Sequence, residues 1–241
     1  MLPPLAEVQR PWGAPEAYIR PSAPFPYANS WGLAYTLLTP VMLACLLRLR
    51  SIWLRIALLI GMALSTVPAI ATSNRGMFIG LGISAAYVLL RQFLAANWRA
   101  VGMGVAAIVA VVVALFASGT VDNILGRQDY SDSTGGRAAL YRATWKATLE
   151  SPIIGYGTPR MEPSIGVSMG TQGYLWTLMF CFGFVGLALF ALFMVCTVAS
   201  GARVKTTSGY LLHSVPVACC VVFIFYSFDI AQLTILMLAS M

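Results

Sequence analysis

Apolar residues fill long, nearly unbroken blocks of the chain. Six blocks reach or approach the ~20 residues needed to cross a bilayer: residues 32–47, 52–71, 77–90, 100–118, 174–199 and 210–228. The third is short, and residues 230–240 form an apolar run too short to cross. The pattern changes over residues 119–173. There Ala138, Tyr141, Trp145 and Leu149 recur at intervals of three and four, which predicts an amphipathic helix over residues 136–150. Asp132, Ser133 and Thr134 precede it as capping candidates. Pro152 restricts Ser151 and sets its end. Glu150 follows Lys146 by four residues, a spacing that favours pairing. This segment is too long for a plain connector. Its stripe suits a helix lying on a membrane surface or on the ends of the spans.

Composition sharpens the class. Hydrophobic residues make up 59% of the chain and charged residues only 10%, with a mean hydropathy of +0.80. Strands of alternating polarity, as in a membrane barrel, are absent from the pattern. The fold class is therefore an all-α integral membrane protein, with about six transmembrane helices and one long loop that carries a short amphipathic helix. The five cysteines all fall inside apolar blocks, with no zinc or disulfide spacing, and read as small packing residues.

The net charge of +7 has two readings, a nucleic-acid partner or an orientation signal. Position decides. The connections after blocks one, three and five hold Arg48, Arg50, Arg55, Arg91, Arg99, Arg203 and Lys205 and no acidic residue. Basic residues gathered in short loops mark the cytoplasmic side. The charge thus predicts orientation and no nucleic-acid partner. The N-terminal segment, the turn at Arg75 and the 119–173 loop face outward.

Three outward arginines stand out. Arg137 lies near the start of the amphipathic helix, where a cation opposes the helix dipole at a cost of about 0.3–1 kcal/mol. It is either a solvated surface residue or part of an anion site made with free backbone N–H groups. Arg75, in TSNRGMFIG, either snorkels to the interface or serves function; Gly76 beside it permits close backbone approach or an unusual turn. Arg20 lies in RPSAPFPYANSWG, where Asn29 or Ser30 is a cap candidate for the first span. Together the three suggest a polyanionic substrate such as a lipid pyrophosphate. Arg142 and Asp229 are accessory candidates, Asp229 as a cap, an arginine partner or a base. His213, the only histidine, reads as a packed or interfacial residue. Asp129, Asp132, Glu150 and Glu162 are loop acids without distinguishing context, and no metal-binding or nucleotide-binding motif is present.

Four stretches, in order, resemble the O-antigen ligase and polymerase superfamily of bacterial membrane glycosyltransferases. They are RPSAPFPYANSWGLA (20–34), TSNRGMFIG (72–80), GGRAALYRATWKATLESPIIGYG (135–157) and GTQGYLWTLMFCFGFVGLALF (170–190). The third is the most specific. The resemblance implies a C-type glycosyltransferase-like bundle in the bacterial cytoplasmic membrane. It further implies transfer of a glycan from an undecaprenyl-pyrophosphate carrier to an acceptor hydroxyl on the outer face, with no cofactor or metal. By motif, Arg75 and Arg137 hold the pyrophosphate, with Arg20 assisting and Arg137 also catalytic. The family's histidine, its proposed general base, is replaced here by Gln172. Glutamine cannot take the proton but can orient a hydroxyl, so the base is a loop acid, a substrate phosphate or missing.

The expected organisation is an outward Pro-rich segment (1–31), a four-span bundle (32–118), the outer loop (119–173) and the C-terminal transmembrane helices (174–241). Family members begin with further spans, so the chain reads as the second half of a longer enzyme. Alternative readings are a transporter or lipid-carrier-binding protein without catalysis, and an inactive fragment.

Overall fold

The structure is a computed structural model that describes residues 8–9, 20–21, 25, 27–72, 74–117, 119, 133–163 and 166–240; the side chains of 8–9, 20–21 and 133–136 lie outside the description. The helices are α1 (Ala28–Arg48), α2 (Ile52–Ala71), α3 (Arg75–Leu94), α4 (Trp98–Ala117), α5 (Ser133–Glu150), α6 (Tyr174–Gly201), α7 (Thr207–Val222) and α8 (Ile230–Ser240). Short antiparallel pairs join β1 (Val8–Gln9) to β2 (Arg20–Pro21) and β3 (Arg160–Glu162) to β4 (Val167–Met169). Five helices, α1 to α4 and α6, are long and apolar enough to cross a membrane. The expected sixth span is α7, which ends at Val222 rather than 228 and has 16 residues. The chain turns over residues 223–229, and the apolar run 230–240 is a separate helix.

The centre of the bundle is α7, packed on α1 and α3. Leu33 and Leu37 of α1, Met194 of α6, Val215, Cys219 and Val222 of α7, Phe223 and Phe228 of the turn that follows it, and Leu236 of α8 form one buried cluster. Helix α2 leans on α1, where the Tyr35 hydroxyl meets Thr66 Oγ1 at 2.7 Å. Helix α4 packs on α3 and buries none of its residues. Helices that are apolar all round and yet exposed need lipid as their solvent. Three of the five cysteines, Cys45, Cys196 and Cys220, share that exposure, whereas Cys181 and Cys219 are packed inside.

Hydrogen bonds define two ends of the bundle. At one end Arg48 Nε donates to Ser208 Oγ, and Gln92 Nε2 to Thr207 Oγ1. Arg91 donates to the carbonyls of Ala202 and Val204, and its guanidinium lies over the Tyr210 ring. His213 belongs to this network. A carbonyl only accepts, so its Nε2, 2.9 Å from Val198 O, carries the hydrogen. Nδ1 of the neutral ring then accepts from the Tyr87 hydroxyl, whose oxygen accepts from Arg91 Nη1 at 2.7 Å. The histidine is a satisfied packing residue that ties α3, α6 and α7 together at this arginine end.

The opposite, loop end is organised by a break in α6. Gly183 has φ 66° and ψ −172°, which interrupts the helix. The freed carbonyls of Phe180 and Cys181 accept from Tyr156 N and Gly157 N at 2.9 and 2.8 Å, and Phe184 N donates to Pro152 O at 2.7 Å. The SPIIGYG turn after α5 thus replaces the missing helical bonds. Without water, a broken span requires such partners. A Cβ at Gly183 would lie 2.3 Å from Ile153 O, and one at Gly155 (φ +73°) 2.5 Å from the Cys181 carbonyl carbon.

Helix α5 begins at Ser133, three residues earlier than its pattern predicts, so Ser133 and Thr134 lie within it; Asp132 is outside the described residues. Its buried line is Leu140, Thr144 and Thr148. Leu140 packs with Met169, Phe180 and Cys181, while the Thr148 hydroxyl returns to Thr144 O at 2.8 Å. The apolar stripe flanks that line. Tyr141 stacks on Trp176, and Trp145 meets Phe184 edge-on, but Leu149 is exposed. Glu150 takes the Tyr156 hydroxyl at 3.4 Å rather than Lys146.

Two predictions follow from these geometries. Gly183→Ala, in a backbone region that is essentially glycine-only, is expected to destabilise the detergent-solubilised protein by about 3 kcal/mol or more. Gly157→Ala has positive φ but open space around its Cβ and is expected to cost only about 1–2 kcal/mol. Equal thermal midpoints for the two variants would refute the role given to the break. Separately, Tyr87→Phe leaves His213 Nδ1 without its donor and is expected to cost about 1–3 kcal/mol in the same measurement.

Candidate functional site

The loop end gathers the starts of α1, α3, α6 and α8 around the turn that follows α7. Each contact has a local cause. Asn74 is the N-cap of α3: its Oδ1 accepts from Gly76 N at 3.0 Å, and its Nδ2 donates to Asn29 O of α1 at 3.1 Å. Gly76 N also donates to the Tyr226 hydroxyl at 2.9 Å. The Tyr226 ring lies so close that a Cβ at Gly76 would fall 1.8 Å from it. Of the two roles expected of this glycine, the structure uses close approach. Arg75, the first residue of α3 and half-buried, thus immediately precedes the glycine on which Tyr226 rests.

Across the turn, Tyr174 N donates to Tyr226 O at 2.9 Å and Ser227 Oγ to Thr171 O at 2.6 Å. These bonds fix the segment that carries Gln172. That side chain is half-buried, and its Nε2 reaches Thr171 Oγ1 at 3.3 Å. Trp176, one turn into α6, donates from Nε1 to Ile224 O at 3.2 Å and stacks on Tyr141 with ring centroids 4.4 Å apart. Arg137 stands one turn before Tyr141 on α5 and is half-buried. Burial pushes the Tyr141 hydroxyl above the usual tyrosine pKa; the Arg137 guanidinium acts against that shift and Tyr226 adds to it. The phenol oxygen is buried with no hydrogen-bond partner among the described residues.

At the far side of the turn, Asp229 precedes α8. Its backbone N–H donates to Gln232 Oε1 at 2.9 Å, half of a capping box. Fully buried Gln232 also donates from Nε2 to Ser30 O at 3.0 Å. The Asp229 carboxylate accepts from Ser30 Oγ at 2.8 Å. Ser30 thus serves Asp229 and does not cap α1, which starts after Tyr27 with no side-chain cap bond.

Of the residues singled out in the sequence, Arg75, Arg137, Gln172 and Asp229 share this end of the bundle. Arg142 does not join them: it is exposed, on the side of α5 away from Leu140, and makes no hydrogen bond among the described residues. Arg20 pairs through its backbone with Gln9, and β2 lies against α2; its side chain lies outside the described residues, as do Asp129 and Asp132. Tyr226, Ser227, Gln232, Asn74 and Trp176 are site residues that the sequence pattern did not single out. Each is a polar or aromatic residue at the edge of an apolar block, where only the fold reveals what it meets. No three His, Cys, Asp or Glu side chains are grouped as for a metal ion among the described residues.

An apolar groove of about 510 Å³ runs between α6 and α7. Leu175, Leu178 and Phe223 line it near the loop end, and Met194, Val198 and Ala202 towards the arginine end.

Nothing among curated proteins or solved structures matches the chain. The family model described as O-antigen ligase matches residues 60–191, more than half of the chain. That span runs from within α2 to within α6 and takes in both arginine-bearing helix starts, the SPIIGYG turn and the broken helix. Membrane glycan transfer is the activity that goes with this family. By that match, the chain belongs to the O-antigen ligase family.

Proposed function

We propose that the protein transfers a glycan from an undecaprenyl-pyrophosphate carrier to an acceptor hydroxyl at the outer face of the bacterial cytoplasmic membrane. The observation that carries this reading is the link between two arginine-bearing helix starts. Tyr226 bonds to the backbone beside Arg75 and lies within electrostatic reach of Tyr141, one turn from Arg137. In this reading Arg75 and Arg137 hold the pyrophosphate and stabilise the charge that grows on it as it leaves. The free N–H groups at the start of α5 add to the anion site. Arg20 assists, and Gln172 orients the acceptor. The carrier's isoprenoid chain lies in the groove between α6 and α7, whose apolar lining suits it.

The direction of the bundle follows from the basic residues. Arg48, Arg91 and Arg203 gather at the arginine end, which this reading places in the cytoplasm. The long loop and α5 then face outward, where a lipid-linked glycan and its acceptor meet. A second reading, a carrier-binding protein without catalysis, draws on Gln172 standing in place of the family's histidine. Product formation separates the two.

In a transfer assay with a polyprenyl-pyrophosphate-linked saccharide, Arg137→Ala and Arg75→Ala are each expected to lower turnover by about 10²–10³-fold, while Lys146→Ala leaves it unchanged. Arg137→Lys is expected to recover little, since lysine lacks the bidentate fork. Turnover in Arg137→Ala equal to wild type would rule out the clamp. For orientation, a cysteine placed at Ile154, 79% exposed, in a background without the five native cysteines, is expected to react with an impermeant maleimide added outside intact cells. Labelling only after lysis would reverse the assignment.

A further inference from the structure

We infer that Asp229 is the general base of the transfer and takes the proton from the acceptor hydroxyl; this rests on the glycan-transfer reading above. Such a reaction needs a proton acceptor at the loop end, and Gln172 cannot supply one. Three carboxylates belong to described side chains: Glu150, Glu162 and Asp229. Glu150 is exposed at the far end of α5, beside Tyr156, and Glu162 lies on the β3–β4 hairpin. Asp229 alone of the three stands on the turn that holds Tyr226 and Ser227, between the start of α3 and the segment carrying Gln172.

Its two oxygens differ. Oδ2 accepts from Ser30 Oγ at 2.8 Å. Oδ1 has no hydrogen-bond partner among the described residues, and no described cation pairs with the carboxylate. One oxygen is therefore anchored while the other keeps its lone pairs open. The anchor is rigid. Gln232, fully buried, grips the Asp229 backbone and the Ser30 carbonyl together. The N-cap position of a helix commonly spends its side chain on the helix's own N–H groups. Here Gln232 satisfies the capping residue from behind, and the carboxylate is turned towards α1 instead. A base held within fixed geometry by satisfied supports is what proton abstraction requires.

The step balances without a further reactant. The acceptor oxygen attacks the sugar carbon that bears the pyrophosphate. The carbon–oxygen bond to the pyrophosphate breaks, and its electron pair leaves with the phosphate oxygen. The hydroxyl proton moves to Asp229 Oδ1 and is later released to water. The other titratable or charged groups on the elements packed around this turn are Tyr226 on the turn itself, Tyr174 on α6, Tyr27 at the start of α1, Tyr141 and Arg137 on α5, and Arg75 on α3.

The test uses the full chain in lipid nanodiscs, with a fluorescent short-chain polyprenyl-pyrophosphate disaccharide and an alkyl glycoside as acceptor. Asp229→Asn keeps an oxygen for Ser30 to donate to. It is expected to lose 10²–10⁴-fold in turnover, to bind the carrier within threefold of wild type, and to lose the acid limb of the wild-type pH–rate profile. Asp229→Glu is expected to recover part of the rate and that limb. Asp229→Asn turning over within threefold of wild type would overturn the inference while leaving the transfer reading intact. Loss of carrier binding in Asp229→Asn, or equal loss of rate in Ser30→Ala with an unchanged pH profile, would make Asp229 a positioning residue and overturn it too. Carrier binding without product in the wild type would overturn both.

Discussion

The hydrogen bonds between residues 152–157 and the broken turn of α6 are the interaction on which the loop end depends. A span interrupted at Gly183 exposes polar backbone in an apolar setting, and a few kcal/mol per unsatisfied group would favour its closing back into a regular helix. The turn after α5 prevents that closure by supplying two donors and one acceptor. The same bonds hold α5 against α6, and so fix Tyr141 on Trp176 and Arg137 beside them. Covalent continuity alone would leave α5 free to slide. The break therefore converts a loop helix into a fixed part of the bundle.

Much of this was legible as pattern, and the illegible part has a physical cause. Long apolar blocks give α1 to α4 and α6 nearly within their bounds, because lipid imposes length and composition directly. Helix α7 departs from its predicted end since residues 223–228 are as apolar as a helix but are used as a turn, with Phe223 and Phe228 folded into the core. Helix α5 shows the same limit. Its period was readable, yet its buried line runs through Thr144 and Thr148; the Thr148 hydroxyl donates to Thr144 O and the Thr144 hydroxyl accepts from Gly170 N, so both can be buried at little cost. Polarity in the sequence does not distinguish a threonine that meets water from one that meets its own backbone.

The candidate site shows the division more sharply. Arg75 and Arg137 announce themselves because cations are rare in such a chain. Tyr226, Ser227 and Gln232 do not, since each lies at the edge of an apolar block and is defined by a partner 56 to 202 positions away. A pattern reads neighbours along the chain. The site is made by helix starts that are neighbours only across it.

The length of α7 has a consequence for the medium in which these groups sit. Its 16 residues rise about 24 Å, whereas hydrocarbon is roughly 30 Å thick. One end of α7 is tied to Arg48 and Arg91, and arginines at a membrane boundary settle among the headgroups. The whole shortfall, roughly one helical turn, then falls at the other end. On that placement the turn with Tyr226, Ser227 and Asp229 falls below the headgroup plane together with the first residues of α1, α3 and α6, to which it is bonded. Dissolved salt screens charges over about 8–10 Å in open solution, but far less effectively inside a low-dielectric wall. An anion lowered to that depth would feel the protein's fixed charges almost undiluted by the ionic strength outside.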